Sequence, residues 1–398
     1  MRYILFILII ALGFQCTGIM EAEEYADNPL LNINVKETID FELGANLTYK
    51  LGFFRAINDT LIAYDQDKNK LDLYNISKGE HIRSVPFHTD GPNSIPTPDG
   101  VYVHTIDSVF CYTLESQYIY LVNGAGELTD RIRFPEYKFP ADLIGTGGSG
   151  GFMPLTYYQP ELFEVPFYYT KNGFYFSNFL SSNFSGTKSL QTTYTSPIVV
   201  NLPTTENESL QYFGKWPEAY KAAEYPNNPM NIFIVTEGNV VVSYYNNEHL
   251  YASNEDKFFL AKSNFSRKDG ITTFKASGED SDPETELRVF NIDEGYVNFI
   301  YDPFRKLYYR AFKKEQHTVY NTSGLLPHKL EAEWSIVVLD ANFKVKGEAS
   351  FPASVYNYMN IIPTQKGVMI SKGNIYAEEF NEQILSFDVI EFTKPAIQ

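Results

Sequence analysis

The chain is poor in the residues that mark disulfide scaffolds, metal centres and nucleic-acid binders. Among 398 residues there are 2 cysteines, 2 tryptophans and 6 histidines. Cys16 lies behind an N-terminal leader and Cys111 in a strand-like run, so the mature domain has no internal disulfide unless Cys16 survives unmodified. The histidines (His81, His88, His104, His249, His317 and His328) show none of the close pairings of a zinc site. Basic residues are also short: 32 Lys and Arg stand against 49 Asp and Glu, a net charge of −17. Removing residues 1–15 takes away only Arg2, leaving 31 bases against 49 acids, or −18. Such a surface repels polyphosphates and gains nothing from counterion release, which excludes nucleic acid as a partner. Beyond the leader no apolar run approaches the ~20 residues of a membrane-spanning helix.

The leader itself reads as an export signal: Arg2, then an apolar run over residues 4–14. Gly13-Phe14-Gln15-Cys16 resembles a bacterial lipoprotein processing site, with Gly13 where Leu is usual and Gln15 where a small residue is usual. The alternative is an ordinary signal peptide cut nearby, with Cys16 discarded. A single acyl chain binds a membrane only marginally, so the several chains of a processed lipoprotein would anchor the domain without embedding it. The acidic stretch that follows, with Glu21, Glu23, Glu24 and Asp27, reads as part of a flexible tether over residues 16–33. The expected location is the bacterial cell envelope, as an outer-membrane lipoprotein facing the periplasm or the surface.

What the chain does have is a repeat. Asp59, Tyr64 and Asn75 recur as Asp107, Tyr112 and Asn123 at an offset of 48, and Gly79, Glu80 and Phe87 recur as Gly126, Glu127 and Phe134 at 47. Each copy reads strand, hairpin, strand, turn, strand: residues 60–64, 71–74 and 81–87, then 108–112, 118–122 and 128–134. Strands over 49–56 and 100–105 complete each copy to four. A repeat of this length, built of short strands without a helix, predicts a blade of a β-propeller.

Weaker copies follow. The pattern predicts a third blade from residues 167–169, 173–179, 198–202 and 210–213, and a fourth from 232–236, 239–245, 258–262 and 271–275. A fifth uses 296–301, 306–312, 334–340 and 344–351. The last, 359–363, 367–371 and 384–392, is one strand short, and residues 34–41 are free to complete it and close the ring. The expectation is one all-β domain over residues 34–398, a propeller of about six four-stranded blades. Seven blades follow only if residues 145–166 add strands.

Motifs that might carry chemistry have plainer readings. Gly145-Thr-Gly-Gly-Ser-Gly-Gly151 satisfies both a dinucleotide-binding pattern and a nucleophile elbow, but Pro140 precedes it and Pro154 follows, denying the strand–turn–helix that either needs. Asp65, Asp67 and Asn69 alternate as in a calcium loop, yet Lys70 replaces the turn glycine and Ile76 the bidentate Glu. Asp280, Asp282 and Glu284 read as an exposed loop. Cys111 occupies the strand position of Ala63 and reads as a small buried hydrophobe. Propeller enzymes place carboxylates on inner strands, which makes Asp107, Asp302 and Glu294 the candidates for acid and base. The Asp boxes of sialidases and the signatures of WD, kelch and low-density-lipoprotein-receptor propellers are not recognisable.

The leader ending in Cys16, the link from His88 to Ile95, the segment from Ile300 to Arg310 and the segment from Trp334 to Phe343 together resemble a family of bacterial propeller lipoproteins, the domain of unknown function numbered 4221, related to TolB-like six-bladed propellers. The resemblance implies fold, export and anchoring, and brings no catalytic residues.

The functional expectation is a binding or scaffold protein for a glycan, peptide or protein, with no cofactor or metal and contact with the membrane only through the N-terminal lipid. Residues 139–166 and 179–197 are the longest insertions, and Tyr157, Tyr158, Tyr168, Tyr169 and Tyr194 are candidate ligand-face residues that can equally serve as packing. The alternative is a hydrolase or lyase acting on a carbohydrate or lactone, which would need two carboxylates or a metal in the central channel.

Overall fold

The computed structural model describes residues 27–43, 53–91, 93–98, 100–113, 118–133, 167–177, 194, 197–204, 209–218, 220, 231–266, 291–316 and 328–395. Strand β1 (Asn32–Glu42) comes first in the chain but belongs to the last sheet. Blade 1 is β2 (Phe53–Ile57), β3 (Thr60–Asp65), β4 (Lys70–Asn75) and β5 (Glu80–Pro86); blade 2 is β6 (Gly100–Thr105), β7 (Ser108–Thr113), β8 (Tyr118–Val122) and β9 (Leu128–Arg133). Blade 3 is β10 (Phe167–Thr170), β11 (Gly173–Ser177), β12 (Val199–Leu202) and β13 (Gln211–Phe213), and blade 4 is β14 (Asn231–Thr236), β15 (Asn239–Tyr244), β16 (His249–Ala252) and β17 (Lys257–Leu260). Blade 5 is β18 (Gly295–Asp302), β19 (Leu307–Lys313), β20 (Trp334–Leu339) and β21 (Val345–Phe351). Blade 6 is β22 (Asn357–Pro363), β23 (Val368–Ser371) and β24 (Ile384–Thr393), with β1 as its fourth strand.

All six sheets are antiparallel with four strands each, which settles the count at six rather than seven. The first strands of successive blades lie against one another, β2 on β6, β6 on β10, β14 on β18, β18 on β22 and β22 on β2. Tyr168 on β10 meets Phe233 on β14 with ring centroids 5.5 Å apart and completes the circle. These six strands are therefore the inner wall. Closure comes from β1, which pairs antiparallel with β24 from Asn32 opposite Thr393 to Glu42 opposite Ile384. Joining the two ends of the chain in one sheet removes the free edges that an open stack would expose.

The repeated residues are turn-makers. Asn75 Oδ1 accepts from the Lys78 amide, and Asn123 Oδ1 accepts from the amides of Ala125 and Glu127. Gly79 and Gly126 follow at φ +69° and +84°, a left-handed conformation that glycine adopts without cost. Blade 4 departs from the sequence reading in one respect. Its third strand is β16, and the run expected there is the outer strand β17. β16 is only four residues long and starts at His249 just after Asn247-Glu248, so polarity hides it. Residues 271–275, expected as its fourth strand, lie outside the described residues.

The core sits between blades. Ile62, Leu73, Val103, Cys111 and Val122 bury the interface of blades 1 and 2, while Trp334 stacks on Phe351 at 4.1 Å between centroids in blade 5. Burial pushes the Cys111 thiol pKa up, so the thiolate is disfavoured and the side chain is inert packing.

The ring is asymmetric about its plane. Turns joining first to second and third to fourth strands, on one face, run from two residues (58–59) to eight (203–210). At the other face the chain leaves β5, β9, β11, β13, β17, β19 and β23 and re-enters the next strand only 12 or more residues later.

Candidate ligand-binding wall

The inner strands read FFRAI, GVYVHT, FYYT, NIFIVT, GYVNFIYD and NYMNIIP. They hold one acidic residue, Asp302, and one Arg, Arg55. Asp302 is fully buried and spent: its carboxylate accepts from the amides of Phe304 and Arg305, from Arg305 Nη1 at 2.7 Å and from Tyr309 Oη at 3.0 Å. It caps the turn after β18.

The other carboxylates suggested by sequence do not join it. Glu294 is buried at the opposite end of β18, where Ser266 Oγ donates to it at 3.4 Å. Eight strand residues at ~3.3 Å each separate it from Asp302 by about 26 Å, too far for an acid and base to share one bond. Asp107 is exposed in the two-residue turn between β6 and β7.

One cluster imitates a catalytic triad. On the outer strands of blade 1, His81 Nε2 lies 3.2 Å from Ser84 Oγ and 3.6 Å from Asp72 Oδ1. Both partners face the same ring nitrogen, whereas a triad places nucleophile and carboxylate on opposite nitrogens. Ser84 donates directly to Asp72, and Lys70 Nζ holds the same carboxylate at 2.7 Å. The serine hydroxyl is thus committed to a carboxylate that Lys70 already pairs. The Asp65–Asn69 connection is a hairpin tip in which Asn69 is buried, accepting from Tyr64 Oη and donating to the Ile95 carbonyl. No metal-binding group of His, Cys, Asp and Glu occurs among the described residues.

What the wall offers is an arc of half-buried rings with one guanidinium. Arg55 on β2 lies over the Tyr102 ring at 4.3 Å and donates from Nη2 to its hydroxyl at 3.3 Å. Tyr102 on β6 lies 6.1 Å from Tyr168 on β10. On the other side of β2, β22 breaks its ladder: Asn357 pairs with Ser371, but the next pair is Ile361 with Ile370, so Tyr358, Met359 and Asn360 bulge. Asn298 Nδ2 on β18 takes up the freed carbonyls of Tyr358 and Met359 at 2.9 and 3.0 Å. Bulges on inner strands re-aim side chains, and Asn360 sits in this one half-buried.

Of the ligand-face candidates, Tyr168 belongs to the arc. Tyr169 packs against Phe110 and Phe174, and Tyr194 is buried among Trp216 and Tyr220. Tyr157, Tyr158 and Cys16 lie outside the described residues, as do the Gly145–Gly151 run and the Asp280–Glu284 cluster. Arg55 and Tyr102 escape the sequence reading because a lone Arg in an apolar strand gives no signal until neighbouring strands bring it against a ring.

A family model for a domain of unknown function, DUF4221, matches residues 27–350. No curated protein matches the chain. Among solved structures, a member of the same family from Bacteroides vulgatus superposes with a TM-score of 0.73 at 17% identity, covering 93% of this chain and 100% of that one. A Bacteroides fragilis protein described as exported superposes with a TM-score of 0.52 at 11% identity, covering 91% of this chain and 96% of that one.

Proposed function

The chain belongs to the DUF4221 family, and from that premise we propose that it is an exported, lipid-anchored propeller whose long-loop face and inner wall bind a glycan, peptide or protein. The observation that carries this reading is the pairing of two asymmetries: the strands that flank the long connections end and begin at one face, and the inner wall is aromatic and amide-rich, with its one carboxylate locked in a turn. Binding residues concentrate on loops held by a rigid scaffold. The description of the Bacteroides fragilis relative as exported supports the leader reading, and Cys16 supplies the anchor.

The full chain, expressed with its leader, tests both halves. Mass spectrometry of the mature N-terminus should find a lipid-modified Cys16; an unmodified N-terminus downstream removes the anchor. On a panel of glycans and peptides, Tyr102→Ala with Tyr168→Ala should abolish the signals seen with the wild-type chain. Phe304→Ala, on the short-turn face and 44% exposed, should leave them intact. Equal loss from both variants, or a silent panel, counts against the binding face.

A further inference from the structure

We propose that the wall formed by blades 1 to 3 takes a carboxylate-bearing sugar, Arg55 pairing with the carboxylate and the rings of Tyr102 and Tyr168 packing beside the sugar. This deepens the binding reading above and rests on it.

Arg55 is placed as a receptor for an anion. A guanidinium has five N–H donors in a fixed fork that matches a carboxylate. Here one donor goes to Tyr102 Oη and one face rests on the Tyr102 ring, which fixes the plane of the group without neutralising its charge. No described carboxylate lies within ion-pair distance of it, although the chain carries 49 acids against 32 bases. The inner strands supply no competitor, since Asp302 is already paired with Arg305. A preorganised, half-buried fork of this type discriminates by charge locally while the acidic exterior disfavours anions elsewhere.

The surroundings favour a sugar over a simple anion. Tyr102 and Tyr168 stand with ring centroids 6.1 Å apart and planes tilted by 59°, each combining an apolar face with a hydroxyl. Asn360 stands on β22, the other neighbour of β2 in the ring, in the segment that the β22 bulge frees from ladder pairing. An amide offers both donor and acceptor to ring hydroxyls. Acid, ring and hydroxyls are the three features of a uronic acid.

The test is calorimetric titration of the full chain with trigalacturonic acid and with its neutral counterpart, galactotriose. The acid should bind the wild-type chain, and Arg55→Gln should weaken it by roughly tenfold or more, the scale of a lost charge-assisted pair. Arg55→Lys should recover part of the loss, because it restores charge without the fork. Tyr102→Phe, which removes only the hydroxyl that orients the guanidinium, should weaken the acid by a smaller factor and keeps the test valid if Arg55→Gln fails to fold. Equal affinity for acid and neutral sugars, or an acid affinity indifferent to Arg55, overturns the carboxylate assignment while the binding face stands. Silence toward both sugars from a chain that answers the wider panel overturns the sugar assignment alone. Silence toward the sugars and the panel together removes the binding reading itself.

Discussion

The Arg310 guanidinium lies 3.3 Å from the centroid of the Tyr296 ring, fully buried where blades 4 and 5 meet. No described carboxylate is bonded to it. Instead it donates to Ser243 Oγ at 2.9 Å and to the carbonyls of Glu248, Ala261 and Asn247 at 3.0, 2.9 and 2.6 Å, with Tyr244 and His249 at longer range. One side chain thus satisfies the backbone of the turn between β15 and β16 and rivets it to β19. Burial pulls its pKa down to about 10, so it stays charged at neutral pH. An ammonium has three donors and no fork, so Arg310→Lys should orphan several carbonyls and cost about 3–5 kcal/mol. Urea unfolding at pH 7 measures this; a loss below about 1 kcal/mol would mean that water replaces the missing bonds.

Lys313 provides a pH signature. It is fully buried, with Nζ donating to the carbonyls of Asn291 and Asp293, and desolvation lowers its pKa to about 7 despite the opposing influence of Asp293, Glu294 and Glu315. Lys329 pushes in the same direction as burial. The unfolded lysine keeps its proton to about pH 10, so between about pH 7 and 10 the unfolded chain binds more protons and stability rises with pH. From pH 7 to 9.5 this amounts to as much as about 3 kcal/mol. Lys313→Met should flatten that rise, as read by chemical denaturation at the two pH values. A slope identical in both proteins would place the titration elsewhere.

Much of this architecture is legible in the sequence, and the reason is physical. Asp59, Asn75, Gly79 and their partners 47 or 48 residues on are turn residues, and turn chemistry is local, so it survives where strand composition drifts. The missing strand of blade 6 is legible by arithmetic, since a propeller with one strand short must close from the other terminus. β16 is not, because four residues starting at His249 fall below any periodic signal. The wall is not legible either: Arg55, Tyr102 and Tyr168 are 47 and 66 residues apart, and only the placing of first strands around an axis brings them together.

The turn glycines give a graded test. A Cβ on Gly126 would stand 2.2 Å from the Pro86 carbonyl oxygen, on top of a φ of +84°. Gly91 has a similar φ of +89° but nothing within 4 Å. Gly91→Ala should therefore cost only the conformational strain, about 1 kcal/mol, and Gly126→Ala clearly more, about 2–4 kcal/mol. Thermal melts of the two variants decide it; equal costs would mean that the turn relaxes around the methyl.

Residues 28–31, within the stretch read from sequence as tether, are fastened to blade 5. Glu348 is fully buried and accepts from Ser263 Oγ, Ser335 Oγ, the Asn264 amide and Asn28 Nδ2 at 2.5, 2.6, 2.7 and 3.2 Å, all neutral donors. Its backbone pairs with Pro29 and Leu31. Glu348→Gln would turn an amide donor toward groups that can only donate or must reorient, costing about 2–4 kcal/mol. Hydrogen exchange at the Leu31 amide, which donates to the Glu348 carbonyl, should accelerate in the variant ahead of global unfolding; unchanged exchange there would show the latch to be held by the backbone alone.

The closed ring underlies the wall, because Arg55 on β2 keeps its place only if blade 6 stands beside it. Deleting residues 32–42 removes β1 from β24 and with it Phe41, which is fully buried against Tyr74 of blade 1 at 5.2 Å between centroids. Urea unfolding followed by tyrosine fluorescence is the direct measurement. The ring predicts that the deleted chain loses its single cooperative transition or shifts it to far lower denaturant; a transition of unchanged midpoint and steepness would contradict closure by β1.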